Sequence, residues 1–144
     1  MIPKKISIAC DHAGFNYKED IKNYLMSKYL LKIEDFGAYS TQSIDYPDVA
    51  HNLAQSIENN ETEMGIILCG SGNGVCMTVN KYKKVRAALC WKKEITELAR
   101  KHNNANVLCL PARFISLEET LEMVDIFINT EFEGGRHLNR INKI

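Results

Sequence analysis

Short apolar runs alternate with amphipathic stretches from one end of the chain to the other. Near-continuous apolar segments at 6–10, 31–36, 65–69, 85–90 and 106–110 predict five short strands. Each leads into a helical pattern or a loop that precedes one. Strands of this length, apolar on both sides, suit a parallel sheet covered on both faces. The stretch 15–29 predicts a helix with Ile21, Leu25 and Met26 on one face, and 47–59 a second with Val49, Leu53 and Ile57 spaced four apart. A third, 92–101, supplies Ile95, Leu98 and Ala99. Ser116-Leu117-Glu118-Glu119 is a capping box ahead of Leu121, Val124 and Ile128, which makes this helix start the best defined. A basic segment at 136–143, behind Gly134-Gly135, reads as a short helix or tail. Alternating strand and helix build βαβ units, hence the α/β class and a three-layer α/β/α sandwich. With no repeat, low-complexity stretch or linker, residues 1–144 form one domain.

Composition narrows the partners. Eighteen basic residues balance eighteen acidic ones, so no overall field steers the chain to nucleic acid or to a membrane surface. Anion recognition must therefore be local. No apolar run approaches the ~20 residues that span a bilayer, and Met1-Ile2-Pro3-Lys4-Lys5 enters the first strand without a signal-peptide pattern. The expected location is the cytoplasm. The five cysteines, Cys10, Cys69, Cys76, Cys90 and Cys109, form no C-x-x-C pair. They fit reduced thiols that pack as small hydrophobes, and only Cys69 has neighbours that argue for more.

Those neighbours are the sequence Ile66-Ile67-Leu68-Cys69-Gly70-Ser71-Gly72-Asn73-Gly74. A buried strand that ends in a thiol and runs into three glycines delivers a nucleophile or base to a nest of backbone N–H groups. The helix that follows adds its own N-terminal donors. Such a field favours a thiolate and stabilises a developing oxyanion, an effect often worth ~3 kcal/mol per well-aimed donor. The loop is no Walker A motif, and Val75 stands where a dinucleotide fingerprint needs its third glycine. ATP and NAD are disfavoured.

Ligands in open parallel sheets bind beyond the carboxyl ends of the strands. That rule selects Asp11 and His12 after the first strand, Asp45-Tyr46-Pro47 after the second, Cys69 and its loop after the third, and Arg113 after the fifth. Each also has a plainer explanation. Asp11 could cap a turn, Tyr46-Pro47 could start a helix, and His102 with Asn103 could complement a helix C-terminus. Arg136 and Arg140 lie one turn apart, so both guanidiniums can face one anion, or simply water.

Together the segments CDHAGF, DYPD, CGSGNG, HNNANV and EGGRHLNR, in this order, resemble ribose-5-phosphate isomerase type B. That family also includes allose-6-phosphate isomerase and the galactose-6-phosphate isomerase subunits. The resemblance covers essentially the whole chain. It implies a five-stranded, Rossmann-like sandwich assembled as a dimer or a pair of dimers, with sites shared across the interface and the 131–144 segment packed there. It also implies metal-free, cofactor-free interconversion of a small sugar phosphate, ribose 5-phosphate, with ribulose 5-phosphate. By position, Cys69 is the base. Some relatives use a glutamate just after the loop, where this chain has Val75. Ser71 moves the proton between the two sugar oxygens, and Gly70, Ser71, Gly72, Asn73 and Gly74 form the anion hole. His102, with Asp11 nearby, opens the furanose ring. Asn103 and Tyr46 contact the sugar, and His12, Arg113, Arg136 and Arg140 the phosphate.

Two alternatives stand beside that expectation. A hexose-6-phosphate isomerase of the same family would need a roomier pocket. A sugar-phosphate sensor would bind without chemistry, yet base, hydroxyl relay and ring-opening histidine are all present.

Overall fold

Five parallel strands and six helices organise the computed structural model, which describes residues 1–144. In chain order they are β1 (Lys5–Cys10), α1 (Phe15–Tyr29), β2 (Lys32–Asp35), α2 (Tyr46–Glu58), β3 (Met64–Cys69), α3 (Asn73–Val79), β4 (Ala87–Leu89), α4 (Lys93–Asn103), β5 (Val107–Pro111), α5 (Leu117–Asn129) and α6 (Arg136–Ile141). A single 3₁₀ turn, His12–Gly14, separates β1 from α1. The sheet order is β2-β1-β3-β5-β4, all parallel, as helical crossovers require. The α/β/α sandwich expected from the sequence is present.

The central strands are the ones whose residues, apart from Lys5 at the start of β1, are all apolar or small. Ile6, Ile8, Ile66, Leu68 and Leu108 pack under α1, α4 and α5 with Ile21, Leu25, Val124 and Phe127. Ala9, Ile67, Val107 and Cys109 face the other way, against Val49 and Leu53 of α2 and Val75 of α3. Two-sided burial explains why these strands read as continuous apolar runs rather than alternating ones.

The edge strands are shorter than the sequence pattern predicts. β2 and β4 pair on one side only, and beyond Leu89 just the Cys90 N–H still reaches Cys109 O, at 3.0 Å. Before β4, the Asn106 side chain accepts the N–H of Arg86 at 2.8 Å and donates to Lys84 O at 2.7 Å. A side chain there replaces part of the ladder. Two helix-face expectations also fail. Met26 is 53% exposed and Leu98 43%, because the buried stripe of α1 passes through Lys18, Ile21 and Leu25, and that of α4 through Thr96, Ala99 and Arg100.

Lys18 is fully buried. Its ammonium donates to both Asp35 oxygens at 2.7 Å and lies over the Phe15 and Tyr39 rings. Burial works against the Asp35 carboxylate, but Lys18, Lys22 and the Gly37 N–H outweigh it and hold the carboxyl below its ordinary range. The pair ties the end of β2 to α1 and so anchors the connection that delivers Tyr46.

Candidate active site

The chain leaves β1 toward β2 on one side and β3 on the other, so the carboxyl ends of β1 and β3 flank the topological switch point. A cleft of about 530 Å³ opens there, lined by Asp11, Tyr46, Cys69, Gly70, Ser71, Gly74, Arg113 and Phe114. Seven of these eight are the residues that the strand-end rule selected. Phe114, 75% exposed, is the addition. Its only signal was its place beside Arg113 after β5.

Cys69, the last residue of β3, is buried but borders this cleft. Its Sγ accepts the N–H of Gly72 at 3.1 Å. Asn73 N–H donates to Ser71 Oγ at 3.3 Å, whereas the N–H groups of Ser71 and Gly74 reach no protein acceptor. Those two donors are left for a ligand. Glycine is needed at 72 for conformation and for space. Its φ is +76°, and a Cβ there would lie 2.4 Å from Leu89 Cδ1. A Cβ at Gly74 would lie 2.4 Å from Tyr46 Cζ, so the tyrosine ring rests directly on the loop. Arg113 closes the opposite side. Its guanidinium lies against Gly70, and its own N–H donates to Gly70 O at 3.1 Å.

Asp11 has the capping role as well as a place in the cleft. Its Oδ1 accepts from Ala13 N–H at 2.9 Å and Gly14 N–H at 3.2 Å. The His12 Nδ1 accepts the Ile44 N–H at 3.3 Å, which leaves Nε2 to carry the proton of the neutral ring.

Among the other thiols, burial pushes Cys10 up to about 12 and Cys90 up to about 11, and raises Cys109 well above its ordinary range. All three stay protonated near neutrality. A hydrogen bond with Cys109 holds Cys76 below its usual value despite burial. Cys69 alone of the five lines the cleft.

The remaining expected residues lie elsewhere. His102 and Asn103 end α4, just before β5 begins, and Arg136 and Arg140 are exposed on α6, which packs against α4. β5 separates this amino end of the sheet from the Cys69 end by about 13 Å of strand rise. Within one chain, therefore, Asp11 is not His102's neighbour. His102 stacks on His137 instead, ring centroids 4.1 Å apart, and Glu133 Oε2 approaches both rings. Burial, then His102 and Arg136, lower His137 below the ordinary imidazole range. A second cavity of about 600 Å³, touching Asn103, Arg86 and Ile141, also lies at this end, but it holds no nucleophile or acid–base pair.

The family profile described as Ribose/Galactose Isomerase matches residues 6–144. A probable ribose-5-phosphate isomerase B of Mycoplasma genitalium is 44% identical over 96% of this chain and 92% of its own length. Ribose-5-phosphate isomerase B of Escherichia coli is 36% identical, over 98% and 94% respectively. The crystal structure of a ribose 5-phosphate isomerase from Thermotoga maritima superposes with a TM-score of 0.93 at 51% identity, covering 96% of this chain and 95% of that one. The Mycoplasma genitalium enzyme with bound ribulose-5-phosphate superposes at 0.92 with 44% identity, covering 96% and 92%. Fold, motif order and similarity over nearly the full length agree: this chain belongs to the ribose/galactose isomerase family.

Proposed function

We propose that this chain interconverts ribose 5-phosphate and ribulose 5-phosphate through an enediolate, with Cys69 as the base. The observation that carries the reading is the Cys69 sulfur at the cleft, held by the Gly72 N–H, with the unpaired Ser71 and Gly74 donors beside it. A thiolate there takes the proton from C2 of the open-chain aldose. The C–H electrons form the C1=C2 bond, and the carbonyl pair moves onto O1, which the loop N–H groups receive. The Ser71 hydroxyl passes the O2 proton to O1, and the Cys69 thiol returns its proton to C1. Arg113 and His12 suit the phosphate, whose remote binding energy holds the reacting carbons in place.

Ring opening needs an acid–base group that one chain does not bring to its own cleft. In this reading a second copy supplies His102, with Asn103, Arg136 and Arg140, to the cleft of the first. The segment 131–144 then packs between the two chains. A homodimer gives two equivalent sites, and a tetramer two such pairs. The ribulose-5-phosphate held by the Mycoplasma genitalium relative supports the choice of a pentose phosphate.

The test follows solvent hydrogen into the sugar. Wild-type protein in deuterated water should label C1 of ribulose 5-phosphate and C2 of ribose 5-phosphate. Cys69→Ala should lose the exchange while still binding the sugar phosphate. Retained exchange would mean that another base acts. A wide preference for allose or galactose 6-phosphate over ribose 5-phosphate would move the substrate to the hexoses.

A further inference from the structure

The cluster at the amino end of the sheet has a chemistry of its own. Each of His102, Glu133 and His137 offers one ligand atom, and the three atoms lie within 4.8 Å of one another. Glu133 Oε2 is 3.6 Å from His137 Nε2 and 3.9 Å from His102 Nε2. Both separations exceed a hydrogen bond, and neither imidazole donates to or accepts from another side chain. The His137 side chain is only 8% exposed. The His137 ring makes no hydrogen bond within the chain, its nitrogens still reach the surface, and it faces a carboxylate and a second ring, so its donor atoms are free for a ligand.

We propose that His102, Glu133 and His137 form a Zn²⁺ site, and that occupying it withdraws His102 from the reaction. Two imidazoles and a carboxylate are the donor set of open, three-ligand zinc sites, and are poor ligands for the oxygen-preferring Mg²⁺ and Ca²⁺. Zinc bonded at about 2.0–2.1 Å in a tetrahedral site sets ligand atoms about 3.4 Å apart. Glu133 lies only a few tenths of an ångström beyond that spacing from each ring, and its half-exposed side chain can close the gap. The two rings stack at an interplanar angle of 11°, with ligand atoms up to 4.8 Å apart, so the partly exposed His102 ring must turn out of the stack to share the metal. The backbone is already in place. Glu133 N–H donates to Lys101 O at 3.0 Å, and His137 N–H to Gly134 O at 3.0 Å. Gly134 and Gly135, at φ +65° and +54°, reverse the chain so that His137 returns over Glu133. The exposed sides of His102 and Glu133 leave the fourth position to water. Arg136 and Arg140, on the same short helix, oppose a cation, so micromolar rather than nanomolar affinity is expected.

Metal binding stands independently of catalysis, whereas the inhibitory half rests on the role proposed for His102. The experiment titrates Zn²⁺ into the chelator-treated, full-length protein by calorimetry, with Mg²⁺ in parallel. Expected is one Zn²⁺ per chain and no Mg²⁺ binding. Glu133→Gln and His137→Asn should each weaken Zn²⁺ at least tenfold, and Cys69→Ser should bind as wild type. Co²⁺ should give tetrahedral bands without thiolate-to-cobalt charge transfer. Isomerase activity should fall in step with Zn²⁺ occupancy and return with chelator, and the Glu133→Gln enzyme should resist the same concentrations. No stoichiometric binding, binding indifferent to both substitutions, or a thiolate band would overturn the site. Binding that depends on the cluster yet leaves turnover untouched would uphold the site and overturn the role of His102.

Discussion

At the carboxyl end of the sheet, groups from β1, α2, β3 and the segment after β5 converge on one cleft; at the amino end, α4 and α6 present theirs outward. The glycines mark the contrast. Around Cys69 they make room, since side chains at Gly72 or Gly74 would meet Leu89 or Tyr46 at 2.4 Å. At Gly134 and Gly135 nothing lies within 4 Å, and glycine serves only the positive φ. One end is shaped to receive a ligand within a single chain. The other leaves its arginines exposed on the surface, where the proposed second copy would receive them.

Mixing chains gives the largest effect. Cys69→Ala and His102→Asn should each lower kcat by about 10²-fold or more. In a 1:1 mixture of the two, half the dimers carry both variants and one intact site, so activity should recover to about a quarter of wild type. An unrecovered mixture, with exchange of chains verified by mass spectrometry, would place each site within one chain.

The glycine contrast comes next. Gly72→Ala combines a positive φ with a clash against Leu89 and should cost about 3 kcal/mol in urea unfolding. Gly134→Ala, with open space around it, should cost about 1 kcal/mol. Equal losses would mean that crowding is not what distinguishes the two turns.

Arg113→Ala should raise KM for ribose 5-phosphate about tenfold, as the loss of a charged hydrogen bond predicts, with kcat nearly unchanged. A fall confined to kcat would remove it from phosphate binding.

The smallest effect is on pH dependence. Cys10, the last residue of β1, titrates near 12 when folded against 9.0 for a free thiol. Above pH 9 the unfolded chain releases this proton and the native chain does not. Stability should thus be full below 9 and decline steadily toward 12. Cys10→Ala should flatten that decline in denaturation series. An unchanged slope would assign the alkaline loss to other groups.

Much of the carboxyl end was legible in the sequence, because strand-end placement depends on locating β1, β3 and β5, whose buried stretches are almost wholly apolar. The capping box at Ser116 and Glu119 formed as read, with bonds of 3.1 and 2.8 Å. Periodicity was less reliable where a polar residue took an apolar place. Lys18 holds a core position because Asp35 neutralises it, and Arg100 another by donating to Thr130 O at 3.1 Å. Those pairings displaced Met26 and Leu98 to the surface. Glu133 and His137 stand in the EGGRHLNR segment, but nothing in it pointed to their meeting with His102, which depends on how the Gly134-Gly135 reversal packs against α4.

Asp11 divides its labour between two oxygens. Oδ1 is committed to the Ala13 and Gly14 amides, so only the second oxygen can address whatever enters. An isosteric Asp11→Asn could keep the scaffold bonds through its carbonyl while replacing the other oxygen with a neutral NH₂. Architecture and charge, fused in one carboxylate, are thereby separable by exchanging a single atom.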